Sequence, residues 1–307
     1  MSVIGIDTSN YTTSIAYFDG KGGVNCSRLL PVKQGELGLR QSDAVFAHTK
    51  SLPELSGRLF SDMQIGQITA VGVSTRPRAV EGSYMPCFMV GYSHAKMIAD
   101  MLHVPLVEVS HQQGHVAASL WSADALELMD EPHLAWHLSG GTTELLLVEP
   151  DGKNVRCTKI GGTTDISAGQ LIDRTGQLLE LPFPSGKHID ALSREAVMTE
   201  TFRVKCPGME FSLSGVQNKV QQFHEKNGAP AETAAYALRC VAQAVFAATG
   251  NAKKAYPGLR VVFSGGVASN SMLRQVIAPL NPIFSQPEFS TDNAMGVAVL
   301  AYRHTQE

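Results

Sequence analysis

Cysteine is scarce in this chain and never paired. Cys26, Cys87, Cys157, Cys206 and Cys240 are scattered, odd in number and without a CxxC pair. That argues against a disulfide framework or a thiolate zinc site and for free thiols in a reducing compartment. Basic residues are not in excess either: 25 against 28 acidic residues leave a formal charge of -3. No overall positive field draws nucleic acid, so any RNA contact has to be local or supplied by a partner. The N-terminus, MSVIGIDTSNYTTS, lacks the basic segment and long apolar run of a signal peptide, and no apolar stretch is long enough to span a bilayer. A soluble, cytoplasmic protein with no membrane association is expected. Two nucleotide signatures are missing as well. There is no GxxxxGK[ST], and no GxGxxG follows the first strand, which removes the best evidence for a P-loop or a Rossmann fold.

What remains is an ordinary globular composition. The 307 residues, 44% of them apolar and 17% charged, suffice for one large or two ordinary domains with full cores. Residues 3–8, 14–18 and 23–30 read as a strand meander with an Asp19-Gly20 turn. The same grammar returns at 133–138, 144–148 and 154–160, around the turn Ser139-Gly140-Gly141-Thr142-Thr143. Laying SNYTTSIAYF over SGGTTELLLV superposes the two Thr-Thr pairs. Helix-forming stretches follow both meanders: 42–62 and 88–102 after the first, with a strand at 69–74 between them, then 166–179, 186–197, 216–226 and 231–255 after the second. A strand at 259–264 and helices at 268–277 and 293–303 close the chain. Strands then helices, twice, predict a duplicated α/β fold of two lobes with a central cleft. The pattern places residues 1–110 in the first lobe, closed by a C-terminal helix at 290–307. Residues 111–289 form the second lobe, the one that holds the two glycine-rich turns and the histidine pair considered next as candidates for nucleotide and metal binding.

Three segments have the composition of a phosphate cradle behind a strand: Asp7-Thr8-Ser9, Ser139-Gly140-Gly141 and Ser264-Gly265-Gly266. Glycine lets backbone N–H groups approach an anion, and a helix N-terminus behind the turn adds partial positive charge. None of the three contains lysine, so backbone dipoles would do most of the binding.

His111-Gln112-Gln113-Gly114-His115 opens an apolar helical stretch. Spacing i, i+4 puts both imidazoles on one helix face, near enough to share a cation. Spacing alone leaves a pair of surface or capping histidines equally open. Two features favour the cation: the preceding strand at 105–109, outside whose carboxyl end α/β folds place ligands, and a glycine that permits close approach of a ligand or backbone. The zinc-protease pattern HExxH would need Glu at 112, and Gln112 cannot act as that base. A third ligand has to come from elsewhere. Asp292, at the N-terminal cap of the last helix, is a candidate, although a capping Asp needs no further role.

Taken together, these motifs resemble the tRNA N6-threonylcarbamoyladenosine synthase family (TsaD-like, once labelled glycoprotease). The resemblance runs from Ile4 to about Tyr302. HQQGH matches the family's HxxGH and HLSGGTTELLLV its xxSGGxT strand–turn–strand. SAGQLIDRTGQLLELPFPSGKHID is similar to AGEAFDKxxxLLGLPYPGGxxID, FSLSG to FSFSG, VVFSGGVASN to VVAGGVxAN and STDNAM to TDNAxM. The resemblance implies the duplicated actin/hexokinase/Hsp70-like (ASKHA) ATPase fold. It also implies that His111, His115 and Asp292 act as catalytic residues by holding one divalent metal, iron or zinc. His137 stands where some relatives place a tyrosine ligand and is a fourth candidate, with a buried strand histidine as the alternative. His137, Leu138, Ser139, Gly140 and Gly141 would line ATP, AMP or threonylcarbamoyl-AMP. Asp173, Gly186 and Asp190 would lie around its ribose and base, with Asn270 behind the third glycine turn. The implied reaction transfers the carbamoyl carbon from the adenylate to N6 of adenosine 37 in tRNA. The implied partners are an adenine nucleotide, tRNA and a TsaB-like protein.

The sequence departs from the family at three places. Thr8-Ser9-Asn10-Tyr11-Thr12-Thr13 replaces TSCDET and loses its acidic pair. Residues 74–86, with Arg76 and Arg78, replace the AGPGLxGAL loop, and Thr142 replaces the histidine of SGGHT. Arg76 and Arg78 suit a carboxylate, a phosphate or an RNA backbone, or a solvated loop pair. Three other functions stay open at this level: carbamoyl transfer to a non-tRNA acceptor, a non-catalytic nucleotide-binding scaffold, and phosphotransfer. The last leaves the histidine pair unexplained.

Overall fold

The repeated strand–helix grammar resolves into two sheets in the computed structural model, which describes residues 1–9, 11–31, 39–61, 65–197 and 200–306. Packing divides the chain into two units. One comprises Met1–Glu131, Glu149–Cys157 and Glu288–Glu307, the other Pro132–Val148 and Thr158–Pro287.

In the first unit β1 (Ser2–Ser9), β2 (Thr12–Phe18) and β3 (Gly23–Leu29) form the antiparallel meander, and β4 (Ile68–Arg76) and β5 (Leu106–Ser110) extend it in parallel to β1. The order is β3-β2-β1-β4-β5. All of β1 is buried, as a central strand covered on both faces must be. One face carries α1 (Gln41–Phe60) and α2 (Phe88–Leu102), whose Leu52, Leu55, Leu59, Ala95 and Ala99 pack with Ile4, Ile6, Ile15 and Tyr17. The last helix, α9 (Met295–His304), lies on the other face and is buried from Met295 through Ala301. Its seat is the register pair Gly5–Gly72: a Cβ on Gly5 would lie 2.6 Å from the Ala294 oxygen, and one on Gly72 2.7 Å from the Val297 oxygen.

The helix α3 (His111–Ser122) packs along α9 and belongs to this unit, together with the 3-10 turn Leu126–Asp130. The division therefore falls after Glu131 rather than near residue 110. The reason is tertiary: α3 lies backbone to backbone against α9, a contact that strand–helix alternation does not encode.

The second unit has the order β11-β10-β6-β7-β8-β9. Here β6 (His133–Leu138) is central, flanked by β7 (Thr143–Asp151) and β10 (Val261–Ser264). Beyond them are β8 (Asn154–Thr163) and two-residue edge strands β9 (Glu210–Phe211) and β11 (Ile283–Phe284). Helices α4 (Ala168–Leu178), α5 (Gly186–Ser193), α6 (Ser214–Asn227) and α7 (Pro230–Ala255) follow. They enclose one apolar core around the fully buried Trp136, whose indole N–H donates to Thr249 Oγ1 at 2.8 Å. The helix expected at 268–277 is split into a 3-10 turn, Gly266–Ser269, and α8 (Ser271–Ile277), because the Asn270 side chain caps α8 by accepting from Leu273 N.

Two further expectations take precise form. Asp7-Thr8-Ser9 is no cradle but the buried end of β1, where Thr8 Oγ1 donates to the Cys87 carbonyl and accepts from Gly91 N, fastening α2 to the sheet. Among the described residues, no helix is long and apolar enough to cross a membrane.

Candidate functional site

Ser110 ends β5 and caps α3 with a full capping box: its hydroxyl accepts from Gln113 N, and the Gln113 side chain accepts from Ser110 N at 2.8 Å. Helix geometry then aims His111 and His115 the same way, and their rings meet edge to face with centroids 4.3 Å apart. Asp292 reaches them from the segment before α9. It is not the cap of that helix, which begins at Met295; Asn293 Oδ1 accepts from Met295 N instead. That division of labour leaves the Asp292 carboxylate to the histidines.

Three candidate ligand atoms converge. His111 Nε2 and His115 Nε2 are 3.0 Å apart, and Asp292 Oδ1 lies 3.1 Å from His115 Nε2 and 3.5 Å from His111 Nε2. Two ring nitrogens at that separation need a proton or a cation between them, and an N2O donor set of this size suits zinc or iron. Behind His111 stands Asp7, which none of the sequence motifs places beside the histidines. Its buried Oδ1 accepts from His111 Nδ1 at 3.1 Å and from the Ser74 hydroxyl of the neighbouring strand. Because a carboxylate can only accept, Nδ1 carries the hydrogen, so that in the neutral ring the lone pair lies on Nε2, facing His115 and Asp292. One signal was available: a lone carboxylate on the otherwise apolar strand VIGID needs a partner once buried.

Electrostatics ties the group together. Burial pulls the His111 imidazolium down, but Asp7 and Asp292 outweigh it and push the ring up to about 10. Burial pushes Asp7 and Asp292 up. The His111 ring and its hydrogen bonds outweigh this, holding Asp7 below and Asp292 well below the usual carboxylate value. A raised imidazolium stabilises the fold fully below its unfolded value of about 6.5 and loses that contribution as pH climbs toward 10. Metal-free protein is therefore expected to lose thermal stability over that interval by differential scanning fluorimetry. The decline should be absent in His111→Gln and in metal-loaded protein, where the cation takes the proton's place; an unchanged slope in His111→Gln would refute the coupling.

The second unit holds the candidate nucleotide residues. His137 and Leu138 end β6, and Ser139-Gly140-Gly141 turns into β7 with Ser139 N donating to the Thr142 carbonyl at 2.8 Å. The amino end of α4 docks on this turn. Ser167 Oγ donates to the Gly140 carbonyl at 2.6 Å, and Gly169 approaches so closely that a Cβ would strike Gly140 Cα. Gly140 and Gly141 themselves have no such excuse. Neither has a positive φ, and a Cβ on either would meet no atom within 4 Å, as is also true of Gly186 and Gly266. Bare backbone that the fold does not require is what close approach of a ligand requires.

One turn along α4, Asp173 Oδ1 accepts from Ser185 N at 2.9 Å, beside Gly186. Asp190 Oδ1 accepts from Asn270 Nδ2 and from Ser271 N and Oγ, while Oδ2 pairs with Arg194. The 3-10 turn 266–269 packs on both β6 and α4. The second unit thus brings His137–Gly141, Asp173, Gly186, Asp190 and Asn270 into one connected framework. His111, His115 and Asp292 form the cluster of the first unit.

Two sheets with parallel cores, flanked by helices and carrying glycine turns, define an actin/hexokinase-type (ASKHA) α/β protein. Solved structures of the same fold include full-length HypF in its phosphate- and nucleotide-bound form, with TM-score 0.62 and 14% identity, covering 100% of this chain but 47% of that one. A ROK family glucokinase from Streptomyces griseus matches with TM-score 0.55 and 10% identity, over 99% of this chain and 100% of that one. The family follows from sequence. The family model for tRNA N6-adenosine threonylcarbamoyltransferase (TsaD) matches residues 35–299, and the chain belongs to this transferase family. A relative of that name from Carboxydothermus hydrogenoformans is 30% identical over 316 residues, 98% of this chain and 91% of the relative. Another, from Kosmotoga olearia, is 36% identical over 225 residues, 70% of this chain and 66% of the relative.

Proposed function

We propose that this chain transfers a threonylcarbamoyl group from an adenylate to N6 of adenosine 37 in tRNA, with a divalent metal held by His111, His115 and Asp292. The observation that carries the reading is the convergence of those three ligand atoms, backed by Asp7, in a chain of this family. When bound, the metal would supply Lewis-acid stabilisation of charge on the carbamoyl oxygen. Asp7 fixes the tautomer and tilt of His111. Asp292 supplies the third ligand atom and a negative charge that offsets the charge of the cation. In the second unit the backbone amides of Ser139–Gly141 and the amino end of α4 are assigned to the phosphate. His137 is assigned to the adenylate side, and Asp173, Gly186, Asp190 and Asn270 to the framework around ribose and base. The same reading carries a TsaB-like protein partner, to be sought by co-purification.

The test is reconstitution. Purified metal-loaded protein, threonylcarbamoyl-AMP and unmodified tRNA should yield threonylcarbamoyladenosine in the nucleoside mass spectrum, and His111→Ala/His115→Ala should yield none. Product formation that survives the double substitution would refute the metal-dependent mechanism. Its absence with the loaded wild-type protein would refute the acceptor.

A further inference from the structure

The segments that depart from the family's motifs gather at one edge of the first sheet. Strands β1, β4 and β5 run parallel, so their carboxyl ends share that edge: β1 leads to Tyr11, β4 ends at Arg76 and β5 ends at Ser110, where α3 begins. A bulge between Ser74 and Arg76 sets Arg76 opposite Ser110, the residue before His111. One residue further, the Pro77 carbonyl accepts from Gln112 N at 3.0 Å, hooking the segment after β4 onto the first turn of the helix that carries the histidines.

The loop is built rather than loose. Arg78 N donates to Ser83 Oγ at 3.0 Å, and Ser83 N to the Val80 carbonyl at 3.2 Å. Met85 packs on the cluster of Leu30, Ala44, Cys87 and Phe88, and Leu30 N donates to the Tyr11 carbonyl at 2.7 Å. Tyr11 and Tyr84 therefore flank the same apolar anchor. Around that anchor other large side chains face outward: Arg76 and Arg78 are exposed, Tyr84 is 64% exposed, and Tyr11, in the turn after β1, is 39% exposed. Glu81 is the one acid in the sequence from 76 to 86. Two exposed tyrosines, one in the turn after β1 and one in the segment after β4, thus stand with two exposed arginines at the edge where the His111–His115–Asp292 cluster begins.

We propose that Arg76, Arg78, Tyr84 and Tyr11 form a rim that binds a single-stranded segment of RNA, with the guanidinium groups on phosphates and the rings against unpaired bases. The inference rests on the reading that the acceptor is tRNA. A base amine becomes accessible only when its base is unstacked, and aromatic faces with arginines are the side chains that hold unstacked strands. A small carboxylate would engage an arginine but would leave the exposed tyrosines without a role. The rim also answers the charge balance: a chain of net charge -3 has to attract RNA locally, and here the acidic pair of the family motif is absent while two guanidinium groups are present.

The test is fluorescence anisotropy of labelled tRNA with the full-length, metal-loaded protein across a KCl series. Steady-state KM values for tRNA and for threonylcarbamoyl-AMP accompany it. Arg76→Ala/Arg78→Ala is expected to weaken tRNA binding at least about tenfold and to lower the slope of log K against log salt by about 1.4, roughly 0.7 per lost phosphate contact on a single strand. Tyr84→Ala is expected to weaken binding about tenfold without changing the slope. Metal content should stay that of the wild type, showing that the cluster is intact. Wild-type affinity and slope in both variants, while the wild type modifies tRNA, would overturn the rim and leave the functional reading standing. A raised KM for the adenylate with unchanged tRNA affinity would assign the arginines to the donor and also overturn it. A wild-type protein that neither binds nor modifies tRNA would bring down both.

Discussion

Protein in which His111 and His115 are both replaced by alanine is expected to purify without metal, whereas the wild type carries about one divalent ion per chain. The two imidazoles supply two of the three converging ligand atoms, and a single carboxylate on a partly exposed segment does not hold zinc or iron. The effect should be specific to the cluster. The capping box of Ser110 and Gln113 involves neither histidine, so α3 keeps its start and its circular dichroism. Gln112→Ala, on the same turn but outside the cluster, should retain the ion. Asp7→Asn is a graded counterpart. It keeps a hydrogen-bond acceptor for His111 but removes the charge, and should weaken the metal about 10–100-fold in chelator competition. Metal analysis by plasma mass spectrometry decides the case, and stoichiometric metal in the double variant would remove the cluster from the mechanism.

The separate parts of this site were unequally legible. The histidine pair is a local pattern, and five residues on a helix suffice to read it. Helix α2 was also readable, the expected 88–102 being the observed Phe88–Leu102. Asp7 was not readable as a partner of His111, because 104 residues separate them and only the parallel pairing of β1, β4 and β5 brings them together. Asp292 was reached through family resemblance, while the local argument for it, helix capping, failed: the N-cap of α9 is Ala294, two residues on, which offers no side-chain cap. The edge strands β9 and β11 escaped for a different reason. Two residues carry no periodicity, and their pairing is imposed by the sheet beside them. The departures at residues 11–12 and 74–86 were visible as words. That they share an edge with the histidines follows only from the register; Asn10 lies outside the described residues.

The glycine pair between α3 and α9 makes the sharpest structural prediction. At an open helix position Gly→Ala stabilises by roughly 1 kcal/mol. At Gly296 the sign should reverse: an added Cβ would sit inside the Gly114 carbonyl oxygen and 2.6 Å from Ala118 N, both backbone atoms of α3 that cannot swing away. The helices must separate, and overpacking of this kind costs about 1–3 kcal/mol or more. A fall in melting temperature of roughly 2–10 °C is expected. The consequence for the site is larger. Asp292 enters from the residues just before α9, whereas His111 and His115 ride on α3, so the spacing of the two helices sets the spacing of the three ligand atoms. Gly296→Ala should therefore loosen the metal as well as the fold. Gly114→Ala should be milder, because its Cβ would meet a side-chain carbon of Val297 at 3.1 Å, which can yield. Gly250→Ala in α7, where a Cβ would meet nothing within 4 Å, supplies the control and should raise the melting temperature. Scanning calorimetry with metal titration on the three variants separates these cases. A Gly296→Ala protein as stable and as metal-tight as Gly250→Ala would show that the α3–α9 contact does not set the geometry of the cluster.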